Sequence, residues 1–215
     1  MPSMLVAPRC RSVPVVCVRL FICLEYKVEP NKLSKDRLSP EEKAEVLGQR
    51  LLVSVDEAAS LISFQIAEQC PAGLSDANVL QFLIELFVFY MLFLDRLALE
   101  CLDCDESNRF ECHLVAVVSD GIITALNKGL SSAEFATCLK RTYDRRQAEY
   151  QNLNPTFPAE GEPLNDTLFW ALIKIIFALT PGTGPAKLTF LITMLSKCNW
   201  VVLNELRAEE TLRNA

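Results

Sequence analysis

The chain has 215 residues, 51% of them hydrophobic and 22% charged, a balance that excludes an intrinsically disordered chain and suffices for one sizeable core. A net charge of −6 excludes a general nucleic-acid binder, because neutralising phosphates requires a basic surface. Seven glycines and few β-branched runs favour helices over a turn-rich β fold.

Residues 1–24 contain Arg9, Arg11 and Arg19 and no acid before Glu25. A targeting segment would share that composition, but Pro8 and Pro14 interrupt any helix, Arg19 divides the apolar part, and no small-x-small cleavage site follows. The stretch before about Pro30 is therefore expected to be poorly ordered and dispensable. Residues 1–38 are set apart from a bundle domain at 39–215.

Ser39, Pro40 and Glu42 form a helix start, with a capping serine, proline at the first helical position and a glutamate that completes the capping box. Leu47, Leu51, Val55, Ala58, Ile62 and Ile66 then recur every three or four residues, predicting an amphipathic helix that ends near Cys70 and Pro71. A second helix is predicted from Ser75 or Asp76 to about Asp103, and a third from about Asn108 to Lys128, stopped by Gly129. Ser131 and Glu134 open a more polar fourth helix over 133–152, expected at the surface with Lys140, Arg141, Arg145 and Arg146 in solvent. After a proline-rich loop, 154–165, come an apolar helix over 166–180 and a last helix over 186–207, followed by a polar tail.

These elements predict an all-α, single-domain bundle of five or six helices, with the second, fifth and sixth innermost. A membrane-spanning helix needs about 18 or more apolar residues. The longest uncharged run, 175–186, contains the turn sequence PGTGP, so membrane insertion is not expected. Nine cysteines, an odd number at irregular spacing, read as small buried hydrophobes of a reducing, cytoplasmic setting rather than a disulfide framework.

At about 100° per residue, Asn78, Gln81, Glu85, Asp95, Arg96, Glu100 and Asp103 share one stripe of the second helix. Its centre is Val88, Phe89 and Leu92. Asp95 and Arg96 admit two readings: a structural pair, partnered from the helix carrying Lys174 or from the first helix, or a ligand site. The candidate ligand-binding group is Glu85, Asp95, Arg96 and Lys174. Cys101, Cys104, Cys112 and His113 offer four zinc-ligand types, but adjacent residues on a helix point about 100° apart. No metal and no cofactor is expected, and no catalytic constellation is assigned. The expected function is a non-enzymatic protein–protein interaction module, with another protein or a second copy of the chain as partner. The alternative is a small-molecule or lipid-binding bundle, or an enzyme using the Glu85, Asp95, Arg96 and Lys174 group.

Overall fold

The reciprocal bonds of the first capping box are formed: Ser39 N donates to Glu42 Oε2 at 2.8 Å, and Glu42 N donates to Ser39 Oγ at 3.2 Å. They start α1, Pro40–Gln69, in a computed structural model that describes residues 38–69, 76–125, 132–153, 165–180 and 184–213. The N-terminal segment expected to be poorly ordered, like the start of the second box at Ser131, lies outside the described residues. α2 (Asp76–Cys101), α3 (Cys104–Ala125), α4 (Ser132–Tyr150), α5 (Leu168–Leu179) and α6 (Pro185–Leu206) follow, with a short α7 (Ala208–Arg213). The described residues form an all-α bundle without strands.

Three boundaries differ from expectation for identifiable reasons. α3 begins at Cys104 rather than near Asn108, because Asp103 and Glu106 form a further capping box, with Glu106 N donating to Asp103 Oδ1 at 2.8 Å. α5 starts after Thr167, whose hydroxyl accepts from Trp170 N at 3.1 Å. The polar tail is not a plain tail. Arg207 takes a left-handed conformation at φ 46°, turning the chain so that Ala208, Thr211 and Leu212 of α7 are buried.

α1 and α2 occupy the centre. α1 packs against α2, α3, α6 and α7, and α2 packs against α1, α3, α4, α5 and α7. Every residue from 84 to 92 is buried, which is what a central, all-round apolar helix does. The expectation that α5 and α6 share the centre with α2 is corrected: α1 takes that place, because it buries a wide face between α3 and α6. By length and composition, the run Pro185–Arg213 is apolar enough to cross a membrane; here α6 lies against α1 and α5, burying Leu191, Met194, Leu195, Cys198, Val202 and Leu206.

The C-terminal carbonyls of four helices are met by side chains from elsewhere. Arg50 donates to Leu206 O at 3.0 Å and to the Thr211 hydroxyl at 3.1 Å, and Lys43 donates to Leu212 O at 2.8 Å, tying α6 and α7 to α1. Asn78 donates to Leu179 O, and Lys187 donates to Phe177 O and Thr180 O, closing α5. Arg96 does the same for α4. None of α1 to α6 carries a basic residue in its own last turn. The helix ends are thus satisfied only when the bundle is assembled.

α1 and α3 approach closely at two glycines. A Cβ on Gly48 would lie 2.7 Å from Val117 Cγ1, and one on Gly121 would lie 2.2 Å from Leu52 Cδ1. Both helices would gain helix propensity from alanine, by roughly 1 kcal/mol. Overpacking outweighs it. Val117 is β-branched and cannot swing aside, so Gly48→Ala must part the helices. Gly48→Ala is expected to destabilise by about 1–3 kcal/mol in chemical denaturation, and Gly121→Ala by less, because the atoms it meets are the tip of the flexible Leu52.

Candidate functional site

The polar stripe of α2 is covered by α4. Glu85 is 2% exposed and accepts a two-pronged contact from Arg146, through Nε at 3.0 Å and Nη2 at 2.7 Å. Gln81 donates a further bond at 2.7 Å, and Arg145 lies 3.7 Å away. Arg146 also reaches Glu149 at 2.5 Å and stands 5.6 Å from the centre of the Tyr150 ring. Burial lowers the Arg146 pKa, but its bonds to Glu85 and Glu149 and the charge of Glu85 raise it further, so the guanidinium stays charged. Burial pushes the Tyr150 phenol up to about 12.

Arg96, on the next part of the stripe, donates to Tyr150 O and Leu153 O, the carbonyls at the end of α4. Asp95 is buried beside Glu111 of α3 and bonds to Gln147 of α4. Burial and then the Glu111 charge raise its carboxyl to about 6; the Gln147 bond and the Arg96 charge pull the other way without cancelling them. Gln147 also donates to Glu111 at 3.3 Å. The Tyr143 hydroxyl is buried next to these acids without a well-aligned hydrogen bond. Burial, then Asp95 and Glu111, push its pKa far up, so it keeps its proton. Three helices therefore meet at Asp95, Glu111, Tyr143 and Gln147, with Asp95 the group whose carboxyl is raised. Glu111 also lines an open groove of about 700 Å³ between α3 and α4, with Cys112, Val115, Lys140 and Asp144.

Of the four residues grouped from the sequence, three lie along the α2–α4 interface. Lys174 is exposed on α5 and joins none of these contacts. The partner expected from the helix of Lys174 or from the first helix comes instead from α4, through Arg146 and Gln147. The polar helix expected to be solvated is thereby corrected too: Lys140, Arg141, Asp144 and Arg145 face solvent, while Thr142 and Tyr143 are buried and Arg146 is mostly so. Glu111, Tyr143 and Gln147 were not expected at a site from the sequence, and Arg146 was expected in solvent. Leu139, Tyr143, Arg146, Gln147 and Tyr150 recur at three and four residues, and that spacing was the available signal.

The cysteines also depart from expectation. Cys104, Cys112 and Cys138 are exposed and Cys101 is half-buried; Cys198 alone among the described cysteines is buried. Cys101 ends α2 and Cys104 begins α3. Among the described residues no three histidine, cysteine or carboxylate side chains gather as a metal site. His113 lies 3.5 Å from Glu45 of α1.

No family model, curated protein or solved structure matches the chain.

Because the folded Asp95 carboxyl titrates above its ordinary 3.8, the folded state binds its proton more tightly than the unfolded chain does. The Asp95 contribution to stability is therefore lost as the pH rises through about 6 and is recovered as the pH falls toward 4. Asp95→Asn is expected to raise stability at pH 8, on the order of 1–2 kcal/mol, and to make the dependence shallower. Some slope persists, because Asp56 is shifted in the same direction, to about 6. Urea denaturation of both proteins at pH 5 and pH 8 checks the sign.

Proposed function

We propose that this protein is a cytoplasmic, non-enzymatic interaction module, in which the bundle is a scaffold and helix faces are the working surface. The observation that carries this reading is large apolar side chains left in solvent on three helices: Val53, Leu61 and Phe64 on α1, Leu99 on α2, and Trp200 and Val201 on α6. Trp200 is 70% exposed. Aromatic side chains exposed in this way are typical anchors of protein interfaces. The described cysteines are free thiols, which supports a reducing setting. The acidic net charge supports a protein partner or a second copy over nucleic acid. Membrane insertion is not part of the reading.

A second reading, ligand binding at the charged interface, has one observation in its favour: Asp95 and Glu111 share a buried cluster with a tyrosine hydroxyl that lacks a well-aligned bond. It is narrower than the group Glu85, Asp95, Arg96 and Lys174, since Glu85 and Arg96 are spent on holding α4.

Self-association is tested through α6. Sedimentation velocity over a range of concentrations is expected to show the wild type forming a larger species, with tryptophan emission shifting to the blue, and Trp200→Ser remaining smaller with unchanged helicity. A wild type that stays monomeric, with emission independent of concentration, contradicts self-association.

A further inference from the structure

α1 buries one face from Ala44 to Ile66, and its opposite face has a pattern of its own. Taking about 100° per residue, Val53, Glu57, Ser60 and Phe64 lie within about 60° of the circumference, flanked by Asp56 on one side and Leu61 on the other. The stripe is about 140° wide and, from Val53 to Phe64, about 17 Å long. Val53, Leu61 and Phe64 are each about half exposed. Asp56 is half-buried and Glu57 exposed, and neither carboxylate pairs with a cation among the described residues. Elsewhere on α1 the opposite holds: Lys43, Arg50, Glu41 and Glu45 all have partners on other helices. Partial burial and the neighbouring Glu57 push Asp56 up to about 6, the condition of a carboxylate without a counter-charge.

We propose that this stripe docks a basic amphipathic helix of another protein, whose apolar side chains cover Val53, Leu61 and Phe64 and whose lysines or arginines meet Asp56 and Glu57. The proposal rests on the interaction reading above and names the partner's chemistry. Charge complementarity decides the occupant. A second copy of α1 laid across this face by a twofold axis would set Asp56 and Glu57 against their own copies, since the acids sit between Val53 and Leu61. Anionic lipid headgroups and nucleic-acid phosphates would meet the same repulsion. A helix with apolar residues at i, i+3, i+4 and i+7 and flanking cations satisfies both halves of the pattern.

The test uses the full chain and two labelled synthetic helices with the same leucine pattern, one flanked by lysines and one by glutamates, followed by fluorescence anisotropy. The basic helix is expected to bind and the acidic one not to. Phe64→Ser, and separately Asp56→Lys with Glu57→Lys, are expected to weaken binding roughly tenfold, as loss of an interface anchor does. Trp200→Ser and Leu99→Ser, at exposed positions on α6 and α2, are expected to leave it unchanged. All substituted positions are exposed except the half-buried Asp56, and circular dichroism of every variant verifies the fold. The proposal is overturned if the basic helix does not bind, if it binds all variants equally, or if the acidic helix binds as well. It is overturned in favour of a second copy if Phe64→Ser abolishes self-association, and in favour of a membrane if wild-type binding to phosphatidylserine vesicles is lost in Phe64→Ser. Self-association lost in Trp200→Ser, together with no binding of the basic helix, would leave the interaction reading standing and remove this proposal.

Discussion

A carboxylate buried within the most apolar of the long helices sets the terms for one side of the bundle. Glu85 sits in a run of nine buried residues, where a bare charge would be costly. It is tolerated because Arg146 meets it with two bonds and Gln81 with a third. That requirement brings α4, the most polar of the long helices, onto α2. Once α4 is there, Asp95 meets Gln147, Arg96 meets the carbonyls at Tyr150 and Leu153, and α3 supplies Glu111. A helix with little apolar surface is thus held by charge and hydrogen bonds rather than by area.

The same logic recurs at the helix ends. Arginine, lysine or asparagine side chains from other helices close the carbonyls of α4, α5, α6 and α7. The bonds from Lys43, Arg50, Asn78 and Arg96 couple elements distant in sequence, so helix formation and bundle assembly reinforce one another. The apolar core supplies the driving force, and the polar ties select one arrangement of the helices. The two glycine contacts between α1 and α3 act in the same sense by admitting close approach at one register.

Much of this architecture was legible in the sequence, and the boundary of legibility is physical. Capping residues and three-to-four spacing located α1, α2, α4, α5 and α6 to within a few residues, because those signals are local. α3 was placed too late although Asp103 and Glu106 carried its signal, and α7 was missed because its turn depends on Arg207 adopting a left-handed backbone. The partner of Glu85 was not legible. Lys174 and Arg146 are both cations on neighbouring helices, and the choice between them depends on the packing of helices 61 residues apart in the chain. The exposed stripe of α1 is not legible for a related reason: which side of a helix is left uncovered is fixed only once its neighbours are in place.

The Glu85–Arg146 pair holds α4 to the core, and a double-mutant cycle measures its contribution directly. Arg146→Met alone should cost roughly 3–5 kcal/mol in urea denaturation, because Glu85 is left buried with Arg145, an exposed side chain, as its nearest cation. Glu85→Leu with Arg146→Met should recover most of that loss, since two apolar side chains replace two buried charges. Additive losses in the double variant, or an Arg146→Met protein as stable as the wild type, would show that the pair does not hold the helix in place.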